Sequence, residues 1–392
     1  MATKKDSVKD NKPLTILYFG TYEETYSRNQ IMIKSLKKMG HNVKECHVSL
    51  WKNQIDKTKT FAGFFGKLLF FARLLSIYPI LLFKYLFVGH YDVMFVGYFG
   101  HLDMLFARLF QILAFRKKRI VFDAFLSLYD SMVTDRKMMK DDSFPSRLVF
   151  WLDKTACRLA DIVILDTDAH IDFFHQTFGV PKEKMVRIFA CADTDVFYPR
   201  QIKKKDDTFN ILFMGKYTPL HGIKYIVEAS EMLKNDENIQ FTFIGKGQLY
   251  PEIRKIVKQK ELSNITFIDW VPYETLPDYI ATADVCLGIF SLSEKALRVI
   301  PNKVFQSLAM KKAVITENSK ASCELLANEE NALLCNPGSG RGIAEAILKL
   351  KANPSLRCKI EEHGYRRFDE RCGLRAVEAN LADLLDSADG NS

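Results

Sequence analysis

A chain of 392 residues, 48% hydrophobic and 26% charged, is long enough for two domains of ordinary size and has the balance of a folded soluble protein. A net charge of +9 suits nucleic acid, an anionic membrane surface or a phosphorylated substrate. No zinc finger, homeodomain-like helix or RNP motif accompanies that charge, so no nucleic-acid partner is expected. The eight cysteines are scattered without a CxxC pair or zinc-ligand spacing, which fits a reducing cytosol and no metal. Cys157, Cys286 and Cys335 lie in apolar runs and read as buried thiols.

Residues 1–13 (MATKKDSVKDNKP) read as a disordered basic arm, and no secretory leader is legible before the first strand, Leu14–Phe19. That strand ends at Gly20-Thr21. A loop from Tyr22 to Asn29 leads into a helix, Gln30–Met39, which stops at Gly40 before the strand Asn42–Val48. This βαβ opening lacks GxGxxG and an acidic residue placed for an adenosine ribose, so a dinucleotide dehydrogenase is a poor fit. It leaves Gly20, Tyr22 and Arg28 at a strand's C-terminal end, where α/β proteins bind ligands. A surface salt bridge is the competing reading for Arg28.

Phe61–Phe87 (FAGFFGKLLFFARLLSIYPILLFKYLF) is strongly apolar, but Lys67, Arg73 and Lys84 interrupt every window long enough to span a bilayer. With Pro79 inside, it reads as an amphipathic helix pair on a membrane interface or around a lipid tail. A buried helix with snorkelling cations competes. Asp92–Gly97 is a strand, followed by a helix through Leu105, Leu109 and Ile112, basic Arg116–Arg119, and the strand Ile120–Asp123. Asp161–Leu165 is another strand, before Asp166-Thr167-Asp168 and a helix. Val186–Phe189 leads to Pro199, and the polar run Gln201–Thr208 marks a linker. We therefore place the domain boundary between residues 200 and 201.

The second half repeats a strand–loop–helix unit. Phe209–Met214 ends in Gly215-Lys216, with His221-Gly222 before an amphipathic helix. Phe241–Ile244 ends in Gly245-Lys246-Gly247. Ile265–Ile268, the Trp270-Val271-Pro272 loop, a helix from Leu276 to Ala281 and the strand Asp284–Ile289 follow. Then Glu294 to Thr316 (EKALRVIPNKVFQSLAMKKAVIT) reads as loop, helix and strand. Pro301 pre-sets a helix entry, Asn302 is a good cap, and Val304, Phe305, Leu308 and Ala309 share one helical face. Lys303 puts a full positive charge in the first turn, where the helix dipole disfavours one, so an anion such as phosphate is expected there. The tail from Leu374 is helical.

These motifs, in this order and over nearly the whole chain, resemble the nucleotide-sugar glycosyltransferases of GT-B fold, in particular the mostly retaining family 4 type. The resemblance rests on Gly215-Lys216, His221-Gly222, the Phe-Ile-Gly-Lys-Gly segment, and Pro301-Asn302-Lys303 with its helix. The stretch from Cys191 to Pro199 resembles the family's hinge-side GxDxxxFxP. The implied fold is α/β, two Rossmann-like domains facing a cleft: 14–200 on the acceptor side, 201–372 binding nucleotide-sugar, and 373–392 a C-terminal helix crossing back.

The implied donor-binding set is Gly20, Arg28, Gly215, Lys216, His221, Gly245, Val271, Glu294, Arg298, Pro301, Asn302, Lys303 and Gln306. Arg298 and Gln306 stand where the family carries two glutamates; Gln306 can still bond a ribose hydroxyl, and Arg298 can add charge toward phosphate. Asp123 and His101 are the candidates for base or acceptor-orienting group. No DxD stands on a metal loop, so the leaving diphosphate is expected to be stabilised by Lys216, Lys303 and backbone N–H groups. No cofactor is expected, the nucleotide-sugar being a substrate. The implied protein is a cytoplasmic, peripheral membrane hexosyltransferase with a UDP or GDP sugar donor and a lipid-linked or glycan acceptor. The alternative is a non-catalytic nucleotide-sugar-binding partner of a membrane glycan assembly.

Overall fold

The computed structural model describes residues 12–50, 63–204 and 207–389. The basic arm through residue 11, positions 61 and 62 of the apolar stretch, residues 205 and 206 of the linker and residues 390–392 lie outside the described residues. Short Val/Ile/Phe runs, each closed by a polar loop, become the inner strands, buried on both faces as in parallel sheets flanked by helices, while the edge strands are partly exposed. The first six are β1 (Thr15–Gly20), β2 (Asn42–His47), β3 (Val93–Val96), β4 (Arg119–Phe125), β5 (Ile162–Leu165) and β6 (Met185–Arg187). They lie in the order β2-β1-β3-β4-β5-β6. The next six are β7 (Phe209–Met214), β8 (Ile239–Ile244), β9 (Ile265–Ile268), β10 (Val285–Leu287), β11 (Ala313–Glu317) and β12 (Leu333–Cys335). Their order is β12-β11-β10-β7-β8-β9, all parallel.

In each sheet the order reverses once, between β1 and β3 and between β7 and β10. A parallel sheet opens a crevice at such a reversal, beyond the carboxyl ends of the strands. The two crevice rims are thus the loops after β1 and β3, and those after β7 and β10. By compactness the chain divides into two units: one runs to Asp123 and includes Leu159–Asp161, the other comprises Ala124–Arg158 and the chain from Ile162. In the second unit Ile211, Phe213, Phe243, Ile226 and Ile347 form one buried core between sheet and helices. The helices Pro354–Cys372 and Leu374–Asp389 pack on each other.

The apolar stretch forms one continuous helix, Gly63–Leu86, with Pro79 inside, and not the pair of helices expected. Proline removes one intrahelical hydrogen bond. Burial of Ile77, Tyr78, Leu81 and Tyr85 on both sides of it holds the helix through. Ile80, Phe83 and Leu86 point the other way and are exposed, as is Phe87 just beyond the helix. Among the described residues no helix is long and apolar enough to cross a membrane.

Candidate active site

The rim after β7, β8 and β10 is a cradle of backbone. Gly245 ends β8 at φ +125°, and a Cβ there would stand 2.2 Å from the Gly215 carbonyl oxygen. Gly222 has φ +61°, and its Cβ would stand 2.6 Å from the Phe290 carbonyl carbon. Both positions need a residue without a side chain, for conformation and for space. The helix Asn302–Ala309 enters this cradle. Its cap position is Pro301, in extended conformation, and Asn302 is already the first helical residue. The capping role expected for Asn302 is therefore corrected: no side chain caps this helix, and its first N–H groups are left to other acceptors.

Lys303 lies in that first turn with only 6% of its surface exposed. Its Nζ is 3.9 Å from the centre of the Phe213 ring and 3.5 Å from the Gly288 carbonyl oxygen. A Cβ on Gly215 would stand 3.2 Å from that amine, so the glycine leaves room for it. No carboxylate pairs with Lys303 among the described residues, and burial drives its pKa well below the usual lysine value. His221 is buried beside it, and its Nδ1–H donates to the Lys216 carbonyl. Burial and then the Lys303 charge hold the His221 imidazole well below its usual pKa. His221 is thus a neutral hydrogen-bonding group beside Lys303. Lys216 itself is exposed.

Arg298, on the turn Ala296–Arg298, has an established partner. Its Nη2 donates to Asp130 Oδ1 at 2.8 Å, its guanidinium lies 4.2 Å over the Phe173 ring, and its carbonyl accepts from Thr167 Oγ1. The charge expected to face phosphate is directed to a carboxylate instead. Glu294 is exposed and 3.6 Å from Arg298. Gln306 is half-buried and lies near the Tyr273 hydroxyl, whose pKa burial raises to about 12. Val271 and Pro301 are half-buried on the neighbouring loops.

In the first unit the rim after β1 is fixed by Asp103, a buried carboxylate that accepts from Thr21 N–H at 2.7 Å and from the Tyr78 hydroxyl at 2.9 Å. Its Oδ2 would stand 2.5 Å from a Cβ on Gly20, so only glycine fits. Arg28 and Asp123 form a buried bidentate pair, 2.8 and 3.1 Å. The surface salt bridge considered for Arg28 is corrected: both partners are almost wholly buried. Both carboxylate oxygens of Asp123, the expected base or acceptor-orienting group, are engaged by Arg28. His101 is fully buried at the start of the helix His101–Leu113, edge-on to Phe122 at 5.1 Å.

Sequence reading missed Asp103, Asp130, Asp135 and Lys295. Asp130 and Asp135 lie in YDSMVTDR, where no hydrophobic period signals an element; it folds as a π-helical turn, Asp130–Asp135. Lys295 was in view as a neighbour of Glu294, but nothing in the chain tells which of the two is buried. A hollow of about 650 Å³ over Arg254, Val257, Leu262 and Phe267 is lined by none of these residues.

Residues 208–353, which carry the cradle, match the family Glycosyl transferases group 1. The chain is 26% identical over 208 residues to an uncharacterized glycosyltransferase of Methanocaldococcus jannaschii, covering 52% of this chain and 55% of that one. It is 24% identical over 178 residues to the lipopolysaccharide core biosynthesis glycosyltransferase LpsE of Rhizobium meliloti, covering 45% and 49%. The chain spans about half the length of the curated relatives it matches. In fold it is similar to Anabaena HepE, crystallised with UDP-glucose, at TM-score 0.69 and 15% identity over 95% of this chain and 100% of that one. It is also similar to the sucrose-phosphate synthase of Thermosynechococcus elongatus, at TM-score 0.73 and 16% identity over 97% and 100%. Two parallel Rossmann-like sheets of this type define the GT-B class. The chain has that fold, and its second sheet carries the match to Glycosyl transferases group 1.

Proposed function

We propose that the protein transfers a hexose from a nucleoside-diphosphate-sugar to a lipid-linked or glycan acceptor at a membrane surface, with retention and without a metal or other cofactor. The observation that carries this is Lys303: a buried amine with no carboxylate partner among the described residues, at an uncapped helix start, inside a glycine cradle. A diphosphate supplies the missing counter-charge, and the cradle N–H groups and Lys303 stabilise it as it leaves. HepE, crystallised with UDP-glucose, makes UDP the first base to test.

The membrane clause rests on one patch of the first unit. Ile80, Phe83, Leu86 and Phe87 are exposed beside Leu109, Ile112, Leu113 and Phe115, and Phe115 is 98% exposed. Arg116 ties the two groups together by donating to the carbonyls of Tyr85 and Leu86. Basic Lys84, Arg116, Lys117, Lys118 and Arg119 flank the patch, which suits an anionic leaflet. The Arg298–Asp130 pair, standing where the family has a glutamate, favours the second reading, a non-catalytic sugar-nucleotide-binding partner; sugar transfer by the purified chain eliminates it.

The test is thermal stability with UDP, GDP, ADP and CMP, in the wild type and in Lys303→Ala, with and without EDTA. A ligand at ~100 times its dissociation constant stabilises by roughly 2.7 kcal/mol. One diphosphate is expected to stabilise the wild type only, unaffected by EDTA. Stabilisation by none of them overturns the reading.

A further inference from the structure

Beside the cradle lies a second buried polar cluster, built from the turn Asp130–Asp135 and the loop before the helix Asn302–Ala309. Asp130 is fully buried and Asp135 is 4% exposed. Asp130 gives Oδ1 to Arg298, but among the described residues its Oδ2 has no hydrogen-bond partner, and Asp135 Oδ1 has none either. Lys295, 5% exposed, reaches across to Ser131 Oγ at 2.6 Å and feels both carboxylates. The turn is pinned from behind. Asp153 accepts from Ser127 Oγ at 2.6 Å and from the N–H of Leu128 and Tyr129, and Ser127 Oγ in turn accepts from Asp130 N–H.

The cluster adjoins the phosphate cradle. Asp135 lies close to the Leu220 N–H, one residue before His221. Lys295 and Arg136 both lie within electrostatic reach of His221, and Lys303 is the charge that acts on the imidazole most strongly. The sequence Lys303, His221, Asp135, Lys295, Asp130 is therefore continuous. Buried carboxylate oxygens without donors cost free energy that a folded chain does not normally leave uncompensated. In both carboxylates the unclaimed atom accepts hydrogen bonds; beside them Lys295 has a partner in Ser131, and Arg298, paired through Nη2, keeps its Nε unclaimed.

We propose that Asp130 and Asp135 form the donor-sugar subsite, accepting hydrogen bonds from two hydroxyls of a hexose whose diphosphate lies at Lys303. The carboxylate that the family holds at the place of Arg298 is thereby supplied from another segment, with Arg298 keeping Asp130 in position. Asp130 and Asp135 are specificity determinants, and Asp153 is a positioning residue for their turn. This rests on the donor-site reading above.

The test measures dissociation constants for the free diphosphate and its sugar conjugate, UDP with UDP-glucose and GDP with GDP-mannose, by calorimetry on the full chain. The variants are Asp135→Ala, Asp135→Asn and Lys295→Met, each checked for folding by thermal melt. For the pair whose base binds, Asp135→Ala is expected to weaken the sugar nucleotide about tenfold or more, the order expected when a hydroxyl loses its built partner. The free diphosphate stays within about twofold. Asp135→Asn, which keeps one acceptor, recovers part of the loss. Should Asp135→Ala fail to fold, Lys295→Met is read in its place, with the same selective loss expected from displacement of the turn. Equal affinities for sugar nucleotide in variant and wild type, with the diphosphate still bound, overturn the subsite alone. Binding of no diphosphate by the wild type overturns the donor site and this inference with it.

Discussion

On the proposed function, a diphosphate would meet two buried basic groups, Lys303 and His221. Burial lowers both pKa values in the empty pocket, and an anion raises them again. A group whose pKa is raised on binding favours the complex below its free value and loses that advantage as pH rises through the bound value. Binding is therefore expected to take up protons near neutral pH and to weaken as pH rises. Calorimetry in buffers of different ionisation enthalpy checks this, and an enthalpy independent of buffer contradicts it. Arg28 and Asp123 present the opposite case, a paired buried charge. Asp123→Ala strands the guanidinium and should cost about 3–5 kcal/mol in urea unfolding, while a double replacement by apolar residues of similar volume should recover most of it. Glu317, at the end of β11, is buried with both carboxylate oxygens unpartnered, and burial pushes its pKa up to about 8. Because the folded state keeps that proton, stability falls as pH rises from the ordinary glutamate value, near 4.5, toward 8. Glu317→Met should raise stability by about 1–3 kcal/mol near neutrality and flatten that pH slope; an unchanged slope in thermal melts counts against it.

The loops that meet at the cradle depend on one another through backbone contact. Gly245 leaves no space for a side chain against Gly215, and neither loop can retreat, because Gly215 N–H is bonded to Ile244 and Gly245 N–H to Ile268. Gly245→Ala should therefore displace the end of β7 and weaken diphosphate binding at least tenfold, while the sheet, held by Phe213 and Phe243, still folds. Wild-type affinity in that variant would show the loops to be independent. The helix Gly63–Leu86 illustrates the converse. Its proline alone would argue for a break, yet side chains buried on both sides of residue 79 outweigh one lost hydrogen bond.

For the molecule as a whole the open matter is where it works. On the proposed function, the exposed side chains of Phe83, Phe87, Ile112 and Phe115 face an anionic leaflet. Flotation with vesicles containing phosphatidylglycerol should carry the wild type upward. Phe83→Ser with Phe115→Ser should abolish this without changing diphosphate affinity, and high salt should weaken it. Flotation of the variant as well as the wild type would remove the patch from the membrane reading.

The alternation of strand and helix, the glycine-ended strands and the buried role of the 302–309 helix were legible in the chain because they follow from local periodicity and from residues with few conformational options. Lys303 was legible too, since a cation at a helix start contradicts the local dipole and needs an external reason. Burial and pairing across distance were not. Arg298 met Asp130, Arg28 met Asp123 and Asp135 met Leu220 only through tertiary folding, over separations of 168, 95 and 85 residues. A carboxylate reads the same in sequence whether solvated, ion-paired or left with an unclaimed oxygen. Which of these it becomes is set by what packs around it, and that is decided by the sheet order and not by the neighbours in the chain.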